Sequence, residues 1–336
     1  MTYNYFFNSK SRFYYRFLNL LLTFFLLQLT HFSFAGQTDQ PKQKLPVLGN
    51  PHNMLEQKKF VGGNTPITDY KKLKHISAKS AIIIDVDSGQ ILYAKQPDLP
   101  RQPASTIKVL TGIIALEKLK PEEPVAVSKN AAKQPRSKLY LDRKKHYMAT
   151  DLINGILLGS ANDASVAIAE KIAGTEKNFA LDMTKKAHSW GARKTVCLTA
   201  SGLTAKGQQS TARDLALIFK HAMQNSNFVE RMAKNRIKTS YGQTIYTHNK
   251  ALWTIHGAVA GKTGYTNAAR QTYVGQFQKD DAKIIVAIMG SETMWKDVKH
   301  LVQHGISKRL ALDTLKPHPE SPIASYKSKK RATENS

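Results

Sequence analysis

The sequence predicts an α+β domain: one antiparallel sheet formed from both chain ends, with a helical lobe inserted between them. Three observations carry this. Strand-like apolar runs lie near residue 80 and again after residue 270. Between them, apolar residues repeat at helical spacing. No internal repeat or second strand-rich block interrupts the order strands, helices, strands.

The first strands are Ala81–Val86 and Gln90–Ala94, joined by Asp87-Ser88-Gly89, a hairpin signal. Pro103-Ala104-Ser105-Thr106-Ile107-Lys108 then opens a helix through Val109, Leu110, Ile113, Ile114 and Leu116, which stops before Pro121. Val125 to Met148 reads as a hairpin or long loop rich in Lys and Arg. From Thr150, a capping residue with Asp151 in the first turn, a helix runs over Leu152, Ile153, Ile156 and Leu157. Gly159-Ser160-Ala161-Asn162-Asp163 breaks it, and a second helix spans Ala164 to Ile172. A third covers Lys177 to Trp190, and Thr211-Ala212-Arg213-Asp214 opens a fourth as a capping-box variant. Thr272–Phe277 alternates as a strand, Asp280-Asp281 turns, Lys283–Met289 is a buried strand, and Glu292–Leu312 closes as a helix.

The ends differ in composition. Lys10, Arg12 and Arg16 precede the apolar run Phe17–Leu29, and Ser33-Phe34-Ala35 offers small residues for cleavage before Gly36. Residues 1–35 are expected to be a signal peptide, with an uncleaved anchor as the alternative. Residues 36–78, with Pro41, Pro46, Pro51 and Pro66, read as a basic linker, 79–312 as the folded domain, and 313–336 as a disordered polar tail. The expected location is therefore outside the cytoplasm, periplasmic or extracytoplasmic, with membrane association as a variant.

With 50 Lys and Arg against 24 Asp and Glu, the net charge is +26. Such a balance points to anionic polymers or surfaces. No zinc knuckle, RNP-type motif or continuous basic helix accompanies it, so nucleic acid is not the expected partner. Cys197 is the only cysteine, which excludes an internal disulfide and any CxxC metal or redox site; no metal and no cofactor are expected.

Ser105 opens the only Ser-x-x-Lys in the chain. A serine hydroxyl needs a base, and a lysine becomes one when burial or a second cation disfavours its charge. A helix start adds N–H groups for a developing oxyanion. Alone, the pair is more often a capping serine and a solvated lysine. Ser160-Ala161-Asn162 sits at a helix break, where Ser and Asn also serve as ordinary turn residues. Lys262-Thr263-Gly264 precedes the late strands; Gly264 suits a strand that a ligand approaches closely, or simply a strand end. Each signal is weak, but the three in this order form a known set.

That set resembles the low-molecular-mass penicillin-binding proteins, the D-alanyl-D-alanine carboxypeptidases of serine peptidase family S11. The similarity runs from about Ser80 to Leu312 and includes Ser201-Gly202-Leu203, Ser210–Ala216 and Gly261–Thr266. Thr199-Ala200 stands where the family often has Asn-Pro, and Asn267–Gln271 lacks a common glycine. The resemblance implies a β-lactamase/transpeptidase-like fold with a cleft between sheet and helical lobe. It implies Ser105 as acylated nucleophile, Lys108 as its base and Ser160 as proton relay. Asn162 would hold the peptide, Lys262 keep Lys108 neutral, and Thr263 bind the terminal carboxylate. The oxyanion hole would use the N–H groups of Ser105 and Tyr265, with Gly264 between.

The implied partners are peptidoglycan stem peptides and β-lactams as covalent inhibitors, with peripheral contact to anionic membrane or wall polymer. The basic stretch Lys129–Lys145 is the candidate for that contact. A DD-endopeptidase cutting cross-links is the near alternative. A class A-like β-lactamase is disfavoured, because no Glu-x-x-Leu-Asn lies between Asn162 and Lys262. A non-catalytic wall-binding protein is the alternative of another class, and labelled penicillin separates it: the wild type is marked covalently, and Ser105→Ala is not. An unmarked wild type would favour the binding protein.

Overall fold

The protein's structure, a computed structural model, describes residues 76–314; the expected leader 1–35, most of the linker 36–78 and nearly all of the tail 313–336 lie outside the described residues. The sheet is antiparallel throughout, in the order β2-β1-β9-β8-β7. Its strands are β1 Ser80–Asp85, β2 Ile91–Lys95, β7 Ala258–Thr266, β8 Arg270–Lys279 and β9 Ala282–Ser291. Chain-early β1 lies against chain-late β9, with Ile82 opposite Ala287. The sheet is thus closed by both chain ends, as expected.

β9 reads as a continuous apolar run because both its faces are covered. Ile285, Ala287 and Met289 join the core against the helical lobe, with Ile82, Leu110, Ile113 and Phe219. Ile284, Val286 and Ile288 join a second core on the opposite face, with Ile83, Phe277, Val298 and Leu301. The period of two assigns alternate residues to alternate layers. The second core is completed by the closing helix Met294–Thr314, which runs past the predicted end at Leu312.

The lobe between the strands holds α1 Lys108–Lys118, α2 Lys129–Lys133, α3 Ala149–Leu157, α4 Asn162–Ala173, α5 Glu176–Ser189, α6 Ala212–Ala222 and α7 Ser226–Met232. Val125–Met148 is a hairpin of β3 Pro124–Ala126 and β4 His146–Met148, with α2 in its long loop. A second ribbon pairs β5 Arg236–Lys238 with β6 Thr244–Tyr246, followed by the short α8 Ala251–Thr254. The closing helix is α9.

Several local expectations are corrected. Thr150 does not cap: α3 starts at Ala149 with no side-chain cap. The N–H groups of Ala149 and Thr150 donate instead to the carbonyls of Glu123 and Pro121, so the adjoining loop satisfies the helix start. The second lobe helix starts at Asn162, not Ala164. Thr211 does cap, accepting from the Asp214 N–H at 3.0 Å, but the Asp214 carboxylate faces Lys194 N–H and Thr195 Oγ1.

The linker boundary at residue 78 is also too late. Ile76 and Ala78 are buried. Buried Asp297 on α9 accepts from Ser77 Oγ (2.6 Å), Ala78 N–H (2.8 Å), Ser291 Oγ (2.7 Å) and Ser77 N–H (3.0 Å). One carboxylate ties the entry of β1 and the exit of β9 to the closing helix. Asp297→Ala strips several buried donors of their acceptor and is expected to cost about 3 kcal/mol. Urea denaturation checks this, and a loss under about 0.5 kcal/mol, typical of a surface change, would contradict it.

Candidate active site

Ser105 does not sit in the α-helix proper. Ala104–Ile107 forms a 3₁₀ turn, and α1 begins at Lys108. In a 3₁₀ turn, side chains three apart eclipse. That brings the Lys108 Nζ to 2.8 Å from the Ser105 Oγ. The turn is held by the Pro103 carbonyl, which accepts from Thr106 Oγ1 (2.5 Å) and from Thr272 Oγ1 on β8 (3.1 Å).

Two glycines allow backbone to press on this turn. Gly202 has φ +77°, and a Cβ there would lie 2.0 Å from the Ala104 carbonyl oxygen. A Cβ on Gly264 would lie 2.8 Å from the Ser105 nitrogen and 2.5 Å from Thr272 Oγ1. The close approach for which Gly264 is suited is therefore made by the protein's own Ser105 turn. Gly264 lets edge strand β7 dock beside Ser105.

Lys108 is fully buried, and its Nζ also lies 2.7 Å from Asn162 Oδ1 and 2.6 Å from the Ser201 carbonyl. The Asn162 amide is oriented by its other end, whose Nδ2 donates to the carbonyls of Pro135 (3.0 Å) and Arg136 (3.2 Å). The Ser201 carbonyl is aimed by its neighbour: Ala200 N–H donates to Glu176 Oε1 (2.9 Å), and the Ala200 carbonyl accepts from Thr111 Oγ1 (2.6 Å). Ser160 stands at the break between α3 and α4 with φ +59°. That left-handed conformation is costly for a residue with a Cβ, and here it points the hydroxyl to Lys262, whose Nζ donates to it at 2.9 Å.

The lysines lie beneath a cleft of about 450 Å³, lined by Ser105, Ser160, Asn162, Thr263, Gly264 and Tyr265 among others. All eight predicted site residues thus converge on one cleft between β7 and the lobe. Arg136, His248 and Lys250 also line it, whereas no Asp or Glu does. Nothing in the sequence singles out His248, a lone histidine in a stretch with no periodicity. The Ser201 carbonyl and Glu176 are equally unmarked, since a backbone acceptor and its positioner leave no residue signature.

Electrostatics divide the two amines. Burial holds the Lys108 amine well below its usual value, Lys262 lowers it further, and Asp163 and Glu176 oppose this. Burial pushes Lys262 down to about 7. Burial, with Lys262 and then Lys108, pushes His248 down to about 4, so it is neutral at ordinary pH. Burial and the Lys262 charge thus both favour the neutral form of Lys108, the form that can act as a base.

The model of peptidase family S11, described as D-alanyl-D-alanine carboxypeptidase, matches residues 67–293. A D-alanyl-D-alanine carboxypeptidase of Mycobacterium tuberculosis is 33% identical over 256 residues, covering 73% of this chain and 86% of that one. One from Bacillus subtilis is 30% identical over 228 residues, covering 64% of this chain and 58% of its relative. Among solved structures, penicillin-binding protein D2 of Listeria monocytogenes in its ampicillin-bound form superposes with a TM-score of 0.64 at 26% identity, covering 69% of this chain and 98% of that one.

The charge arrangement has a pH signature. Loss of the Lys262 charge raises the Lys108 pKa, so the acid limb of Ser105 acylation by labelled penicillin moves to higher pH in Lys262→Gln. Lys262→Arg keeps the charge and leaves the limb in place. Rate–pH profiles of the three proteins test this; coincident limbs for wild type and Lys262→Gln would contradict it.

Proposed function

The chain belongs to the D-alanyl-D-alanine carboxypeptidase family of serine peptidases, S11, and on that premise we propose that it removes the terminal D-alanine from peptidoglycan stem peptides through an acyl-enzyme on Ser105. The observation that carries this is the set of partners around Lys108. Two of its three contacts, Asn162 Oδ1 and the Ser201 carbonyl, only accept hydrogen bonds. A neutral amine has two N–H bonds and one lone pair. Both N–H bonds are used by those acceptors, which leaves the lone pair for the Ser105 O–H.

The steps follow. The Ser105 oxygen attacks the carbonyl carbon of the penultimate residue as its proton passes to Lys108. The oxyanion forms between the N–H groups of Ser105 and Tyr265, which Gly264 brings into proximity. The C–N bond breaks, and Ser160, bonded to Lys262, relays the proton to the leaving D-alanine nitrogen. Water then hydrolyses the ester by the same base. Thr263 and the Lys262 charge receive the terminal carboxylate, and the basic lining suits an anionic peptide.

A β-lactam presents the same acyl carbon and a carboxylate. Among the described residues no carboxylate lines the cleft, so the penicilloyl ester, whose ring fragment stays in the site, has no second base to activate water, and penicillin inhibits the enzyme. The substrate puts the site of action outside the cytoplasm, which the expected leader over residues 1–35 would provide.

Mass spectrometry of stem peptides incubated with the protein tests the proposal. Free D-alanine and stems shortened by one residue are expected, with Lys108→Ala slower by roughly 10²- to 10⁴-fold. Cleavage of cross-linked dimers without shortened stems would overturn it in favour of an endopeptidase.

A further inference from the structure

A second groove, of about 420 Å³, runs on from the cleft. Arg136, Ser137 and His248 line both spaces. Thr263 and Tyr265, at the carboxylate end of the cleft, do not line the groove, which leaves past Gly159 and the Ser160 turn. A substrate whose terminal carboxylate sits at Thr263 would extend its other end this way.

The walls of the groove are built. One is the segment 136–140, anchored by the Asp163 carboxylate, which accepts from the N–H groups of Leu139 (2.9 Å) and Leu141 (3.2 Å). The other is the β5–β6 ribbon, anchored where Asp151 on α3 accepts from Ser240 Oγ at 2.6 Å. Both anchors belong to the helices that flank Ser160 and Asn162.

The groove also holds the two most exposed large apolar side chains among the described residues, Tyr140 at 60% and Tyr246 at 61%. Exposed aromatic rings that share one groove mark a binding surface more than a packing accident. Arg136 and Lys138 lie 5.8 and 5.5 Å from the Tyr140 ring centroid, adding positive charge beside the ring. Flat rings with polar tips suit the C–H face of a sugar ring, and the nearby cations suit carboxylates of the peptide attached to it.

We propose that this groove is a saccharide subsite, with Tyr140 and Tyr246 holding the glycan end of a stem peptide still attached to its sugar. The proposal rests on the carboxypeptidase assignment and adds a preference to it: stems on the glycan are trimmed faster than free stems.

D-Alanine release is measured on an acetylated D-Ala-D-Ala tripeptide, a free pentapeptide stem, and that stem on an N-acetylglucosaminyl–N-acetylmuramyl disaccharide. For the wild type, kcat/KM rises about tenfold or more at the disaccharide step, the equivalent of one good contact surface. The double variant Tyr140→Ala/Tyr246→Ala loses that rise and keeps its rates on the free pentapeptide and on labelled penicillin, which also shows that it is folded. Equal rates on free and disaccharide stems, or a rise that survives in the variant, overturn the subsite. A gain that appears only between tripeptide and pentapeptide assigns the groove to peptide and overturns it as well. Binding of the disaccharide stem to Ser105→Ala, with and without the two tyrosines, reads the groove independently of catalysis. Tyrosine-dependent binding there supports the subsite even where no substrate releases D-alanine, a failure that would sink the carboxypeptidase assignment alone.

Discussion

A buried amine whose charged form the surroundings disfavour is the constraint on which the rest of this site depends. Lys108 is enclosed by the core, and the fold compensates for lost water with two carbonyl-type acceptors and one hydroxyl. Each acceptor is supplied by a different part of the lobe: Asn162 from the start of α4, Ser201 from the segment before α6, Ser105 from the turn before α1. Moving any one of them leaves a buried polar group unpaired. The chemistry and the packing therefore share one set of hydrogen bonds.

The second amine acts through distance. Lys262 arrives on the edge strand of the sheet, and its charge disfavours a second cation nearby. The site is consequently a seam: Ser105, Lys108, Ser160 and Asn162 come from the lobe, Lys262, Thr263 and Tyr265 from the sheet. Gly202 and Gly264 let the two halves touch at the backbone of the nucleophile turn, where any side chain would collide with main-chain atoms.

What was legible in the sequence was periodic or fixed in spacing. The strands at both ends, the lobe helices and the three short motifs all carry such signals. Ser105 and Lys108 could be paired because three residues is one turn of either helix type; the 3₁₀ geometry that eclipses them leaves no mark in composition. The β5–β6 ribbon, α7 and α8 leave no periodic signal because they are only three to seven residues long. The cap at Thr150 failed because backbone carbonyls distant in sequence did its work. Residues 76–78 looked like linker because their anchor, Asp297, lies over 200 positions away. Tertiary partners of this kind are invisible to any local window.

The strand order also sets a timetable. β9, whose residues follow nearly everything else in the domain, lies between β1 and β8. The opening hairpin of β1 and β2 has no partner on its inner side until that late strand emerges. Contacts of such long sequence separation form slowly and late in folding. Ser105, Lys108, Ser160 and Asn162 all precede the late strands in the chain, and the strand bearing Lys262 belongs to its last third. During synthesis Ser105 and Lys108 therefore emerge well before Lys262, and the cleft is complete only once the strand that carries Lys262 has been made.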